Sequence, residues 1–284
     1  MELSNLKYLK PVDDDDVYRE DFRNYTYNED TYLAAKLSWF FELTQEMAAF
    51  HGYSKHCSIP ELHEIGCTWV ITGEHMVIDR YTNWLEPVHL ETWAQTPNGV
   101  FVPRTVRATD KDNKKVFEAH TFWAILDINT FRPLSPSIIL DRILGPQNNP
   151  QYPSRCARQK RASKLMARDG VMKELTSTDL PVTYGMTDSN QHVNNVSYIN
   201  WILSALPNTF RDGYKVKDIN VSWLKQTFLA DHITLRTYSS QNTPYTDDKP
   251  CFYHLIFKKE NDGTETKIFE ARTEWRPRAE LEIL

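Results

Sequence analysis

Apolar positions recur at helical spacing in two places along the chain. Leu33, Leu37, Phe40, Met47 and Phe50 form one stripe, with Gly52 placed to stop the helix. Val196, Ile199, Ile202, Leu203 and Leu206 form the second, and Asn194 or Asn195 can cap it by accepting a first-turn amide. After each stripe the period drops to two, as in strands buried on one face. Glu86–Trp93 and Asp231–Tyr238 alternate in this way. Lys115-Val116-Phe117-Glu118-Ala119-His120-Thr121-Phe122-Trp123 is echoed by Lys267-Ile268-Phe269-Glu270-Ala271-Arg272-Thr273-Glu274-Trp275. A polar turn precedes each, Asp110–Asn113 in one case and Asn261–Gly263 in the other, which marks hairpins.

One plan is thus written twice: a helix, then several long antiparallel strands. A helix with one apolar stripe buries it most economically against a curled antiparallel sheet, which predicts an α+β fold in two similar halves. The stretch Gly145–Pro153 is rich in Pro and Asn and reads as a linker. The expected division is residues 1–145 for the first half, 146–170 for the connector and 171–284 for the second half. Aligning Trp39 with Tyr198 sets Leu33 opposite His192 and Thr31 opposite Asn190, so the first copy lacks the imidazole.

Composition narrows the class without naming it. The chain has 284 residues, 40% hydrophobic and 25% charged, which is ordinary for a soluble globular protein. No apolar run approaches the ~20 residues of a membrane helix. The start, Met1-Glu2-Leu3-Ser4 and then Asp13–Asp16, has neither the form of a signal peptide nor a Ser/Arg-rich transit sequence, which fits a bacterial protein or a processed form, and a cytoplasmic protein is expected. Cys57, Cys67, Cys156 and Cys251 are scattered, without metal-ligand spacing, and no cofactor is expected. A net charge of −5 argues against general nucleic-acid binding. There is no GxSxG elbow, no Gly-rich phosphate loop and no HExxH. Trp39, Phe40, Trp84, Trp93, Trp123, Trp201, Trp223 and Trp275 read as core.

The chemistry concentrates in Thr187-Asp188-Ser189-Asn190-Gln191-His192-Val193-Asn194-Asn195-Val196-Ser197-Tyr198-Ile199-Asn200-Trp201. A carboxylate, amides and an imidazole lie beside a helix start, where the dipole favours a developing oxyanion. This string resembles the signature of acyl-acyl carrier protein thioesterases, the plant plastid enzymes and their bacterial relatives. The resemblance extends to Trp69–Ile71, Asp79–Tyr81, Glu91–Trp93, Phe122–Asp127 and Thr130–Leu134. It implies a tandem hotdog fold, with the acyl tail held in the first half and hydrolysis in the second. Phe40, Met47 and Trp69 are candidates for lining the acyl slot. The partner it implies is an acylated carrier protein. That protein is acidic, so the basic stretch Arg155, Arg158, Lys160, Arg161, Lys164 and Arg168 is either a solvated connector or a docking surface. A homodimer is left open.

Within that reading His192 serves as general base, Asp188 orients the imidazole or activates water, and Asn190 holds water or the carbonyl oxygen. Asn194 and Asn195 open the helix whose amides face the oxyanion, with Asn194 either capping or taking part directly. The family pattern also implies a Tyr-x-x-Glu-Cys strand after the motif. Here the strand is Trp223-Leu224-Lys225-Gln226-Thr227, so Gln226 stands in the place of the Glu and Thr227 in that of the Cys. An amide can position water but takes no proton at neutral pH. Two alternatives follow: an acyl-CoA thioesterase using the same site, or a weakly catalytic acyl-carrier binding protein.

Overall fold

The computed structural model describes residues 15–146, 149–155, 159–170, 172–188 and 190–282. They form two compact units that interleave along the chain. The first takes the chain up to Arg23, Leu43–Ile71 and Glu86–Arg158; the second takes Asn24–Glu42, Thr72–Leu85 and Gln159–Leu284.

The first unit contains strand β1 (Tyr18–Arg23), the later turns of helix α1 (Leu37–Ser54), α2 (Ile59–Glu64), the start of β2 (Cys67–Ile78), then β3 (Pro87–Ala94), β4 (Phe101–Thr109), β5 (Lys115–Asp127) and the short α3 (Leu140–Ile143). Its strands run in the order β1-β3-β4-β5-β2. The pairings β1 with β3, β3 with β4 and β4 with β5 are antiparallel. The second unit contains α4 (Ala162–Arg168), β6 (Lys173–Leu180), α5 (Asn195–Ser204), α6 (Asn208–Gly213), β7 (Tyr214–Trp223), β8 (Ile233–Ser239), β9 (Cys251–Lys259), β10 (Glu265–Pro277) and α7 (Arg278–Leu281). Its order is β2-β7-β10-β9-β8-β6.

The α+β expectation holds, and the period-two segments form strands. In β8 burial alternates residue by residue, with Ile233, Leu235, Thr237 and Ser239 inward. Both polar turns close hairpins, and each carries a residue in the left-handed region, Asn113 (φ 57°) and Gly263 (φ 83°).

Three local expectations are corrected. Leu33 lies before α1, with φ 61° and its side chain exposed, because it occupies a tight turn. Gly52 lies inside α1; the chain leaves the helix at His56 (φ 54°), after which the Ser58 amide donates to the Glu61 carboxylate (2.8 Å) to open α2. Trp84 is exposed rather than core.

The expected linker also packs more closely than its composition suggests. Tyr152 is buried, meets Trp93 edge to face (centroids 5.1 Å) and donates from its hydroxyl to Glu91 (2.9 Å). Trp93 Nε1 donates to the Pro153 carbonyl (3.1 Å). A Cβ on Gly145 would stand 2.5 Å from the Ala94 carbonyl oxygen, so only glycine permits that approach.

A charged cluster ties the start of α1 to β7 and α7 within the second unit. Asp30 accepts from Lys215 Nζ (2.7 Å) and Arg278 (2.9 Å), while Lys215 also donates to the Ala35 carbonyl (3.0 Å) and lies over the Tyr81 ring (4.3 Å). Burial pushes the Asp30 carboxyl up. The Lys215 charge, with hydrogen bonds from Lys215, the Tyr32 amide and Arg278, outweighs it and holds the carboxyl below its usual range.

Removing Asp30 leaves Lys215 and Arg278 with Glu282 as their remaining counter-charge, so Asp30→Ala is expected to cost about 2 kcal/mol in denaturant unfolding at neutral pH. A depressed carboxyl stabilises above its unfolded value and loses that contribution as pH falls through its folded value. The gap between wild type and variant should therefore close as pH drops below about 4.

Candidate active site

The motif forms a tight loop that leads into α5, all within the second unit. The Asp188 amide donates to the His192 carbonyl (2.9 Å), and the Gln191 amide to the Asp188 carbonyl (2.9 Å). Gln191 takes φ 62° to close the turn. The Asp188 carboxylate oxygen Oδ1 accepts from the Asn190 amide (2.8 Å). The loop is pinned on both sides: Asn194 N–H donates to the Met186 carbonyl (2.8 Å) and Val193 N–H to the Thr227 carbonyl (2.8 Å).

The last of these bonds, with the bridge between His192 and Phe228, makes a short antiparallel ladder. Side chains alternate across such a ladder. Val193 and Thr227 turn inward and are buried, and Tyr198 donates to Thr227 Oγ1 (2.7 Å) behind them. His192, Gln226 and Phe228 take the other face. His192 and Gln226 are half-buried, and the imidazole meets the Phe228 ring edge to face at 5.2 Å. The His192 and Gln226 side chains make no hydrogen bond among the described residues, so both are free to engage a substrate or water.

Asn194 is the N-cap of α5: its Oδ1 accepts from the Val196 amide (2.9 Å), and its carbonyl accepts from Ser197 (3.0 Å). Those two first-turn amides are therefore engaged within the cap, while the positive end of a ten-residue helix still faces the loop. Asn195 is the first helical residue and half-buried. Asn190 is exposed. The structure thus brings Asp188, Asn190, His192, Asn194 and Asn195 into one loop and sets Gln226 on the strand paired with it. No hydrogen bond joins the Asp188 carboxylate to the His192 ring.

A second loop in the same unit repeats this geometry and fixes how the copies correspond. Asp30 N–H donates to the Ala34 carbonyl (2.8 Å), Leu33 N–H to the Asp30 carbonyl (3.2 Å), Lys36 N–H to Asn28 (2.8 Å) and Ala35 N–H to Thr82 (2.9 Å). The Tyr32 amide donates to Asp30 Oδ1 (2.9 Å), as Asn190 does to Asp188. Asp30 therefore matches Asp188, Tyr32 matches Asn190, Leu33 matches Gln191 and Ala34 matches His192. The alignment of Trp39 with Tyr198 is one residue out; Phe40 is the partner of Tyr198. The absence of an imidazole from the first copy stands, with Ala34 in its place.

Of the basic stretch, Arg155, Lys160, Arg161, Lys164 and Arg168 are exposed, and Arg158 lies outside the described residues. Arg168 pairs with Asp169 (3.0 Å). Lys160, Arg161 and Lys164, at the start of α4, have no ion-pair partner among the described residues. The same residues contain no cluster of His, Cys, Asp and Glu able to hold a metal ion, and no helix long and apolar enough to cross a membrane.

Residues 15–141 match the model of the acyl-ACP thioesterase N-terminal domain, and residues 171–277 that of the acyl-ACP thioesterase C-terminal domain. The chain is 25% identical to oleoyl-acyl carrier protein thioesterase 2, chloroplastic, of Arabidopsis thaliana, over 96% of this chain and 80% of that one. It is 24% identical to a palmitoyl-acyl carrier protein thioesterase, chloroplastic, of Gossypium hirsutum, over 95% of this chain and 66% of that one. Among solved structures, an acyl-ACP thioesterase from Bacteroides thetaiotaomicron superposes with a TM-score of 0.73 at 20% identity, covering 92% of this chain and 98% of that one. The 12:0-ACP thioesterase from Umbellularia californica gives 0.70 at 17% identity, covering 92% and 98%. The fold shared with these structures is the tandem hotdog.

The cap assignment is testable by itself. Asn194→Ala is expected to lower stability by about 1 kcal/mol, and Asn194→Asp to restore most of it, in thermal unfolding followed by circular dichroism.

Proposed function

Because the chain belongs to the acyl-ACP thioesterase family, whose members hydrolyse the thioester of acylated carrier protein, we propose that His192 is the general base of that reaction in this protein. The observation that carries the reading is the free, half-buried imidazole on the open face of the 192–228 ladder, beside the positive end of α5. Water held between His192 and the Gln226 amide loses a proton to the imidazole as its oxygen attacks the thioester carbon. The oxyanion that forms is stabilised by the Asn190 side-chain amide and the helix dipole. Collapse breaks the carbon–sulfur bond, and the imidazolium returns the proton to the departing phosphopantetheine thiolate. The products are a free fatty acid and carrier protein, which ends elongation.

Asp188 acts first on geometry: its Oδ1 closes the turn that presents His192. Gln226 supports a second reading, a carrier-binding protein with slow turnover, because an amide supplies no second base.

Thiol release from matched acyl-carrier and acyl-CoA panels tests the reading. Wild type should turn over the carrier substrates, and His192→Ala should lose at least ~100-fold in kcat with the fold intact. No turnover of any thioester by wild type would sink the enzyme reading, and recovery of activity in Gln226→Glu would then locate the defect.

The exposed cations at the start of α4 are assigned to carrier docking under the same reading. Replacing Lys160, Arg161 and Lys164 together by Gln should raise KM for acyl-carrier protein severalfold, leave kcat unchanged and flatten its salt dependence. An unaltered KM would return these residues to the role of a solvated connector.

A further inference from the structure

One side-chain hydrogen bond separates the two copies of the loop. Phe40 matches Tyr198, and Thr82 matches Thr227, because the Ala35 and Val193 amides donate to the carbonyls of the two threonines. All four of these side chains are buried, none more than 2% exposed. In the second copy the Tyr198 hydroxyl donates to Thr227 Oγ1 (2.7 Å). Burial pushes that phenol up to about 12, so it stays protonated and keeps its donor near neutral pH. In the first copy Phe40 has no hydroxyl, and Thr82 Oγ1 is buried with no hydrogen-bond partner among the described residues.

The scaffold does not require this bond. The Ala35–Thr82 main-chain bond (2.9 Å) forms without it, as the Val193–Thr227 bond (2.8 Å) forms with it. Packing seats both rings: Phe40 lies 5.3 Å from Tyr81, and Tyr198 lies 5.1 Å from Trp201 and from Phe269. The first copy thus folds with a threonine hydroxyl left unpaired, although an unpaired buried hydroxyl is costly. The bond belongs to the copy that has the imidazole.

Its effect there is to close a ring. Thr227 is joined to the loop through its carbonyl and to α5 through its side chain, and the chain from Val193 to Tyr198 completes the circuit. Groups of the site sit along that circuit. His192 precedes Val193, Asn194 and Asn195 open the helix, and Gln226 precedes Thr227. Without the side-chain link, the strand end would be joined to this stretch by the main-chain bond alone.

We infer that Tyr198 and Thr227 are positioning residues of the hydrolytic site: their side-chain bond fixes the strand end, and with it Gln226 and the open face of the ladder, against the N-terminus of α5. The inference rests on the reading that His192 activates water in this protein. Holding reacting groups at fixed separations acts on kcat more than on binding.

Tyr198→Phe gives the second copy the pair found in the first, and is expected to lose about tenfold in kcat on a carrier thioester with KM within about twofold of wild type. Thr227→Val removes the acceptor and should do the same, whereas Thr227→Ser keeps it and should retain most of kcat. Thr82→Val, the matching change in the first copy, should leave kcat unaltered. Each single change that breaks the bond buries an unpaired hydroxyl and should lower Tm. Tyr198→Phe combined with Thr227→Val buries none, so it should recover Tm but not kcat. Recovery of kcat together with Tm, an unchanged kcat in Tyr198→Phe, or a loss carried by KM alone would make the bond a packing feature and overturn the inference.

Amide hydrogen exchange followed by NMR gives a readout independent of hydrolysis. The Val193 amide should exchange at least ~5-fold faster in Tyr198→Phe than in wild type, with the Ala35 amide as an unchanged reference. If wild type hydrolyses no thioester, faster Val193 exchange keeps the positioning pair and rejects the enzyme reading. Unchanged Val193 exchange rejects the pair whatever the turnover.

Discussion

The site depends on one main-chain hydrogen bond, from the Val193 amide to the Thr227 carbonyl. It fixes the register of the loop against the strand end, and a slip of one residue would turn every side chain to the opposite face. With the register held, Val193 and Thr227 face inward, where Tyr198 secures Thr227, and His192 and Gln226 share the outer face. Ala35 and Thr82 make the equivalent bond in the first copy. The ladder is therefore scaffold, and the chemistry is a matter of which residues are laid on it.

The paired aspartates separate these two roles. Asp30 and Asp188 each accept an amide two residues ahead, so both close the same turn. Asp30 uses its second oxygen to bind Lys215 and Arg278 and so joins the charged cluster. Asp188 has no ion-pair partner among the described residues. An aspartate at this position is thus required by the turn before it is required by any reaction, and its presence alone does not mark a catalytic loop. His192 and Asn190 distinguish this loop from that of the first copy, which has Ala34 and Tyr32 at those positions.

Much of this was legible in the sequence. Period-two alternation located the strands, polar turns located the hairpins, and an Asn before an apolar stripe located the start of α5. These signals are local, so a single sequence carries them. The failures were tertiary. Leu33 fits a helical stripe by spacing, yet turn geometry holds it outside the helix. Aligning aromatic with aromatic placed Trp39 against Tyr198, whereas the hydrogen-bonded turn places Phe40 there. Tyr152 lies among residues whose composition reads as linker, and Val17, Trp93, Glu91 and Arg19, distant in sequence, explain its burial. Arg104 carries no local signal of its burial; its partners His51 and Thr92 lie far away in sequence.

Each half buries a cation, Arg104 in the first and Lys215 in the second. The first half buries a permanent cation that no pH near neutrality discharges, even though burial pushes Arg104 down to about 10. Such a group does not exchange protons near neutral pH. On the open face of the 192–228 ladder in the second half, His192 and Gln226 are half-buried, and of these two only an imidazole can both take and return a proton. A glutamate at 226 would divide the work between two groups. Under the proposed mechanism, with glutamine at 226, the imidazole accepts the water proton in the first step and releases it to the thiolate in the second. That is sufficient for a thioester, because a thiolate leaves readily. It would serve an amide poorly, since an amine must be protonated in order to leave. Under that proposal, Gln226 suits the site to substrates with good leaving groups.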